Sequence, residues 1–257
     1  MATEAVRPAE FMVVAAAREL ADGEVVFVGI GLPNLACNLA RATHAPNLVL
    51  LYESGALGAV PERVPVSIGD PALVTGALMV CSMADVFQGF LQGGRIDVGF
   101  LGGAQVDRYG NINTTVIGSY DRPKVRLPGS GGAAEIAAHA KRTLIVGRLD
   151  ARAFPEHVDY ITSPGHNGRH GPRDPRAMRG AGPVRVITDR AILENDAETG
   201  ELMLARLYPG QTVDDVRRRV GWTLRVRDDV RDVEPPDGES LRLLREELDR
   251  DRVFLGR

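Results

Sequence analysis

Cysteine is scarce in this chain. Cys37 and Cys81 are the only two among 257 residues, and they form no metal-ligand spacing. A reduced, cytoplasmic setting is the simplest expectation, with both thiols in helix core rather than acting as nucleophiles. Charge imbalance is also lacking: the net charge is −3, which leaves no electrostatic footprint for nucleic acid or an anionic membrane. No apolar run approaches the ~18 residues of a membrane span, and the polar start, Met1 to Glu10, does not read as a targeting segment. The five histidines show neither H-E-x-x-H nor triad spacing, so no metal site is expected. His166 and His170 alone are kept as candidate substrate contacts. Repeats and low-complexity segments are absent.

What remains is an ordinary hydrophobic fraction of 44% arranged in alternating elements. Pro8 to Ala21 reads as a helix. Glu24 to Ile30 and Asn47 to Tyr52 are short, apolar, β-branched runs typical of buried strands. Between them Gly29-Ile30-Gly31-Leu32-Pro33 turns into a helix, where Pro33 suits the first turn. Ser82 to Leu91 reads as helix and Ile96 to Leu101 as strand. Ile112 to Ile117 reads as the return strand of a hairpin, Ala133 to Ala140 as helix and Thr143 to Val146 as strand. This alternation predicts an α/β fold with a mostly parallel sheet flanked by helices. The length suits a single domain spanning 1–257. Residues 162–183, rich in Gly, Pro, Arg and His, read as a surface loop, and 237–257 as a C-terminal helical extension that packs on the body or on a partner.

In open α/β sheets, ligands bind beyond the carboxyl ends of the strands. Three glycine turns fall at such ends: Gly29–Gly31, Gly102–Gly103 and Gly129–Gly132. The last precedes a helix and offers backbone N–H groups to an oxyanion or a phosphate. Gly29-Ile30-Gly31 is not a dinucleotide fingerprint, because Asn34 stands where the third glycine belongs. Taken singly, each turn reads as readily as a plain strand terminus. Glu53, a lone carboxylate after a buried strand, reads more readily as a surface or capping glutamate.

Together the motifs are specific. Val28-Gly29-Ile30-Gly31-Leu32-Pro33 resembles the G-I-G-x-P turn of class I coenzyme A-transferase β subunits. Tyr52-Glu53-Ser54-Gly55 resembles their active-site E-N-G or E-S-G motif. Pro65-Val66-Ser67-Ile68-Gly69-Asp70 is similar to the segment that follows it in glutaconate-type members. Gly102-Gly103-Ala104-Gln105-Val106-Asp107, continuing to Gly110-Asn111-Ile112-Asn113, resembles the family's G-G-A-x-x-V-D-x-x-G-N-x-N block. Gly129-Ser130-Gly131-Gly132-Ala133 and Pro209-Gly210-Gln211-Thr212-Val213 resemble its later elements.

The resemblance, over roughly residues 10–225, implies the NagB/RpiA/CoA transferase-like fold and a nucleophilic role for Glu53. Glutamate is ionised near neutrality without a separate base. Its attack on an acyl-CoA gives an anhydride and then a glutamyl-CoA thioester. Gly131 and Gly132 are the expected oxyanion and CoA-binding donors, with Gly102 and Gly103 shaping the pocket and Ser54, Gly29, Gly31 and Asn111 as further pocket candidates. Coenzyme A is implied as a substrate, with no permanently bound cofactor. Ser54 in place of the asparagine favours the glutaconate-like branch and puts succinate/3-oxoacid specificity in doubt. A companion α subunit is implied, in a heterodimer or heterotetramer with the site at the interface. Two other readings stand beside this one: a CoA-ester hydrolase or lyase on the same fold, and a non-enzymatic small-ligand sensor.

Overall fold

The computed structural model describes residues 5–168 and 171–256. Its first helix, α1 (Pro8–Ala17), begins where Pro8 needs no N–H donor, and the Glu10 carboxylate reaches back to the Arg7 N–H at 2.8 Å. The chain then runs through β1 (Val25–Phe27), α2 (Leu32–Ala42), β2 (Val49–Leu51), β3 (Ala56–Leu57) and β4 (Met79–Val80). A π-helical segment, Asp85–Leu91, leads to β5 (Val98–Leu101). Two hairpins follow, β6 (Gln105–Val106) with β7 (Ile112–Asn113) and β8 (Val116–Gly118) with β9 (Pro123–Arg126). Next come α3 (Ala133–His139), β10 (Arg142–Gly147), the small hairpin β11 (Asn167–Gly168) and β12 (Gly171–Pro172), and then β13 (Pro183–Thr188), β14 (Ala191–Asn195) and β15 (Leu202–Leu207). The chain closes with α4 (Val213–Arg217), β16 (Val226–Asp232), α5 (Gly238–Arg242) and a π-helical segment, Leu243–Leu248.

Ten strands form one sheet in the order β16-β15-β14-β13-β10-β5-β1-β2-β3-β4. The five from β13 to β2 run parallel. Antiparallel strands extend the sheet on both sides, and β16 alone returns to parallel pairing. Side chains on a strand alternate between faces. Val26, Val28, Leu50 and Tyr52 therefore enter the core under α1, α2 and the C-terminal segment, while Phe27 and Leu51 enter the second core under Asp85–Leu91 and α3.

The expected 112–117 strand is split. Asn113 accepts the Thr115 and Val116 N–H groups on its side-chain oxygen and donates to the Val116 carbonyl. This Asx-type turn redirects the chain from one hairpin into the next. Residues 162–183 are tied inward. Burial lowers the Arg173 guanidinium to about 10. It donates to the carbonyls of Ala137, Ala138 and Gly180, closing the C-terminal end of α3. His166 is engaged with the Pro183 carbonyl at 2.7 Å, and His170 lies outside the described residues.

The C-terminal segment packs on α1 and α2, with Leu243 and Leu244 in the core. Arg245 grips buried Glu10 through two contacts of 2.6 and 2.8 Å. Burial alone would raise the Glu10 carboxyl, but the hydrogen bonds and charge from Arg245 and Arg7 outweigh it and hold the group below its ordinary range. The stabilisation is therefore complete above the ordinary glutamate range and is lost as pH falls through the lowered value. Glu10→Gln is expected to destabilise the chain by about 2 kcal/mol at pH 7, and urea melts repeated at decreasing pH should show the gap between variant and parent closing in the acid range.

Candidate active site

Phe27 pairs with Leu51 on one side and with Gly99 on the other. Because these strands are parallel, the residues that follow them leave on a single edge: Gly29 after β1, Glu53 after β2, and Gly102 and Gly103 after β5. Buried Tyr52 holds the end of β2. Its hydroxyl accepts a 2.7 Å hydrogen bond from Asn34 of α2, and desolvation pushes it up to about 12. The chain then reverses tightly, with the Gly55 N–H on the Tyr52 carbonyl and the Tyr52 N–H on the Ala56 carbonyl. Gly55 has φ +102, and a Cβ there would lie 2.0 Å from the Cys81 carbonyl oxygen. Only glycine fits this turn.

Glu53 stands at the apex, half-buried, and among the described residues its carboxylate has no hydrogen bond or ion pair. Gly132 lies directly against it: a Cβ built there would be 3.6 Å from Glu53 Cδ and 2.5 Å from Phe87 Cζ. Phe87 in turn packs on Phe27, with ring centroids 5.6 Å apart. Gly131, at φ +49, is exposed beside it. Among the described residues the N–H groups of Gly131 and Gly132 donate to no acceptor, whereas that of Gly129 is spent on the Thr114 carbonyl at 2.8 Å.

The remaining sequence candidates divide. Gly29, Gly102 and Gly103 are exposed on the strand edge, Gly31 caps α2 at φ +110, and Ser54 is exposed. Asn111 is buried at 2% exposure and its side chain is fully occupied. It donates to the Asp107 carboxylate and the Asn167 carbonyl and accepts the Gly165 N–H at 2.7 Å. Its work is to bind three loops together rather than to line a pocket. Phe87, which packs against Gly132, and Asn34, the anchor of Tyr52, were not singled out as site residues in the sequence, since both sit within runs that read simply as helix. No group of three or more His, Cys, Asp or Glu among the described residues is placed to hold a metal ion, and no helix of the described residues is long and apolar enough to cross a membrane.

A carboxylate without a partner among the described residues, set against a glycine turn with unengaged N–H groups at the carboxyl edge of a parallel sheet, has the makings of an acyl-transfer site. The coenzyme A transferase family profile matches residues 9–219, and the chain belongs to this family. Within it, the chain is similar to the B subunits of multi-subunit CoA-transferases. The β-type chain of the 3-oxoadipate CoA-transferase of Pseudomonas knackmussii is 50% identical over 92% of this chain and 91% of its own length. The corresponding chain of the glutaconate CoA-transferase of Acidaminococcus fermentans is 38% identical over 96% and 94%. The crystal structure of that glutaconate coenzyme A-transferase superposes with a TM-score of 0.89 at 33% identity, covering 98% of each chain. The glutaconate likeness expected from Glu53-Ser54-Gly55 is thus present, beside a more identical relative named for 3-oxoadipate.

Gly132→Ala keeps the N–H but adds a methyl group between Phe87 and Glu53. It is expected to cost about 1–3 kcal/mol of stability through overpacking and to lower turnover by about 100-fold. Adding Phe87→Leu should return most of the stability in thermal melts without restoring turnover to the parent level.

Proposed function

We propose that Glu53 is the nucleophile through which this CoA-transferase passes coenzyme A between an acyl-CoA and a carboxylic acid. The observation that carries the reading is the unpaired Glu53 carboxylate against Gly132. A carboxylate oxygen attacks the thioester carbonyl, and the Gly131 and Gly132 N–H groups receive the developing oxyanion. The C–S bond breaks, leaving an acyl-glutamyl anhydride and a CoA thiolate. The thiolate attacks the glutamyl carbonyl and expels the first acid as its carboxylate, forming glutamyl-CoA. The acceptor carboxylate then attacks the glutamyl-CoA carbonyl, and the steps run in reverse. Each step exchanges one activated carbonyl for another, so neither nucleotide hydrolysis nor a metal ion is needed to drive it. The two relatives are named for 3-oxoadipate and glutaconate, both dicarboxylates, and a dicarboxylate is the class proposed here.

A companion α subunit completes the site. Glu53 is half-buried, and the cleft of about 300 Å³ between α1 and β14–β16, lined by Arg18, Arg206 and Arg231, does not include it. The stretch between β3 and Asp85–Leu91 supports a docking face next to Glu53. It leaves Val66, Val74, Leu78, Val80 and Met83 exposed, Leu78 at 75%, beside edge strand β4. An apolar run of this extent is unusual on a free surface, and an unpaired edge invites a partner.

With acyl-CoA and no acceptor, the complex is expected to accumulate a CoA adduct on the Glu53 peptide, visible by mass spectrometry, and Glu53→Gln should lower turnover by at least about 1,000-fold. Steady release of free CoA without an adduct would instead mean hydrolysis by another route. Leu78→Glu combined with Val80→Glu should abolish co-purification of the companion while the chain keeps its circular dichroism spectrum. Retention of a one-to-one complex would remove this face from the α contact.

A further inference from the structure

The turn that meets Glu53 is also the root of an exposed, cationic arm. Hairpin β8–β9 leaves the edge of the sheet at Thr114 and Thr115 and returns at Leu127. The Leu127 N–H bonds the Thr115 carbonyl, the Gly129 N–H bonds the Thr114 carbonyl, and Thr114 Oγ1 donates to the Gly129 carbonyl at 2.7 Å. The root is braced from the side as well. Asp159 accepts from the Gly118 N–H and from Gln105, and Thr162 bonds both the Thr114 N–H and the Thr115 hydroxyl. Arm and glycine turn therefore form one hydrogen-bonded unit, and Gly132 at its other end touches Glu53.

The arm carries Arg122, Lys124 and Arg126 against a single acid, Asp121, and all four are exposed. Among the described residues none of the three cations has an ion pair. Arg126 is also held in place. Its guanidinium lies over the Tyr120 ring at 5.0 Å and donates to the Tyr120 carbonyl, and Tyr120 stacks on Tyr160 at 5.3 Å. The aromatic pair is itself exposed, at 54% and 39%. A guanidinium oriented in this way before binding loses little freedom when it captures an oxyanion.

Resting on the CoA-transfer reading of Glu53, the geometry points to this arm as the site that holds the phosphate groups at the nucleotide end of the acyl-CoA, through Arg122, Lys124 and Arg126. The chemistry divides naturally along the ligand. Its thioester reacts at Glu53, while its phosphates are carried on the far end of a long pantetheine chain. From Leu127 to Arg122 the arm extends about 17 Å at roughly 3.3 Å per residue. Its root is hydrogen-bonded to the glycine turn that meets Glu53, and Arg122 is the cation farthest along it from that root. Arg and Lys are the side chains that recognise phosphate through charge-assisted hydrogen bonds.

The test compares two donors on the assembled α/β enzyme: the full acyl-CoA, and the same acyl group on pantetheine, which lacks the nucleotide. Arg122→Ala/Lys124→Ala/Arg126→Ala is expected to raise KM for acyl-CoA by about 10- to 100-fold with kcat little changed, and to leave KM for acyl-pantetheine at the parent value. Added salt should raise the parent's KM for acyl-CoA more than the variant's. An unchanged KM for acyl-CoA, an equal rise for both donors, or loss of the companion chain from the variant would each overturn the assignment. Failure of either donor to label Glu53 in the parent enzyme would instead remove the transfer reading itself.

Discussion

The seating of α3 on β5 sets the position of everything around Glu53. Gly99, in the middle of fully buried β5, has no side chain, and a Cβ there would lie 2.4 Å from Ile136 Cγ2 and 3.1 Å from the Ala140 side chain. The helix therefore lies directly on the strand. The same end of the helix is held a second time by Arg173, which closes the carbonyls of Ala137 and Ala138. With the helix seated in this way, Gly132 at its start lies against Glu53. Parallel pairing of β1 with β2 and β5 does the rest by bringing three strand ends to one edge. Glu53 and the glycine turn are brought together by elements that are each held for reasons unrelated to chemistry.

Within this frame Glu53 differs from the other acids of the chain, which are engaged wherever they are enclosed. Arg63 holds Asp70 far below the usual carboxylate range. Glu10 is gripped by Arg245. Asp107, raised by desolvation, is satisfied by Asn111 and by backbone N–H groups. Glu53 has no such partner among the described residues, although Gly132 lies against it. A carboxylate bound by a cation is stabilised and is the poorer nucleophile for it. Leaving this one unpaired keeps its lone pairs available.

Much of the central sheet was legible because buried parallel strands read as continuous apolar runs. Val25–Phe27, Val49–Leu51 and Val98–Leu101 each lie inside an expected strand, trimmed at the ends. The wing from β13 to β16 was not legible. Its edge strand, Val226–Asp232, is mostly charged and exposed, which is how an edge is kept from pairing with other chains, and such a strand carries no apolar signature. The glycine turns could be located in the sequence, but their separate uses could not. Gly131 and Gly132 have N–H groups with no acceptor among the described residues, while Gly129 spends its own on Thr114. Asn111 sits in a motif that suggests a pocket, yet its contacts are structural, because a side chain's partners depend on loops more than fifty residues away, at Gly165 and Asn167.

The choice between transfer and hydrolysis does not rest with Glu53. On the role proposed for Glu53, both outcomes begin with the same attack and the same anhydride, and they differ in whether water or a thiolate reaches the activated carbonyl next. On this chain Ser54, Gly131 and Gly102 beside Glu53 are all exposed, so the chain alone does not exclude water from that carbonyl. Exclusion has to come from what closes over the strand edge: the companion chain on one side and the bound acyl-CoA on the other. A frame that holds the nucleophile rigidly, with the water barrier supplied by a second body, can serve transferases and hydrolases alike. The difference in reaction then lies in the fit of the cover, not in the residue that starts the chemistry.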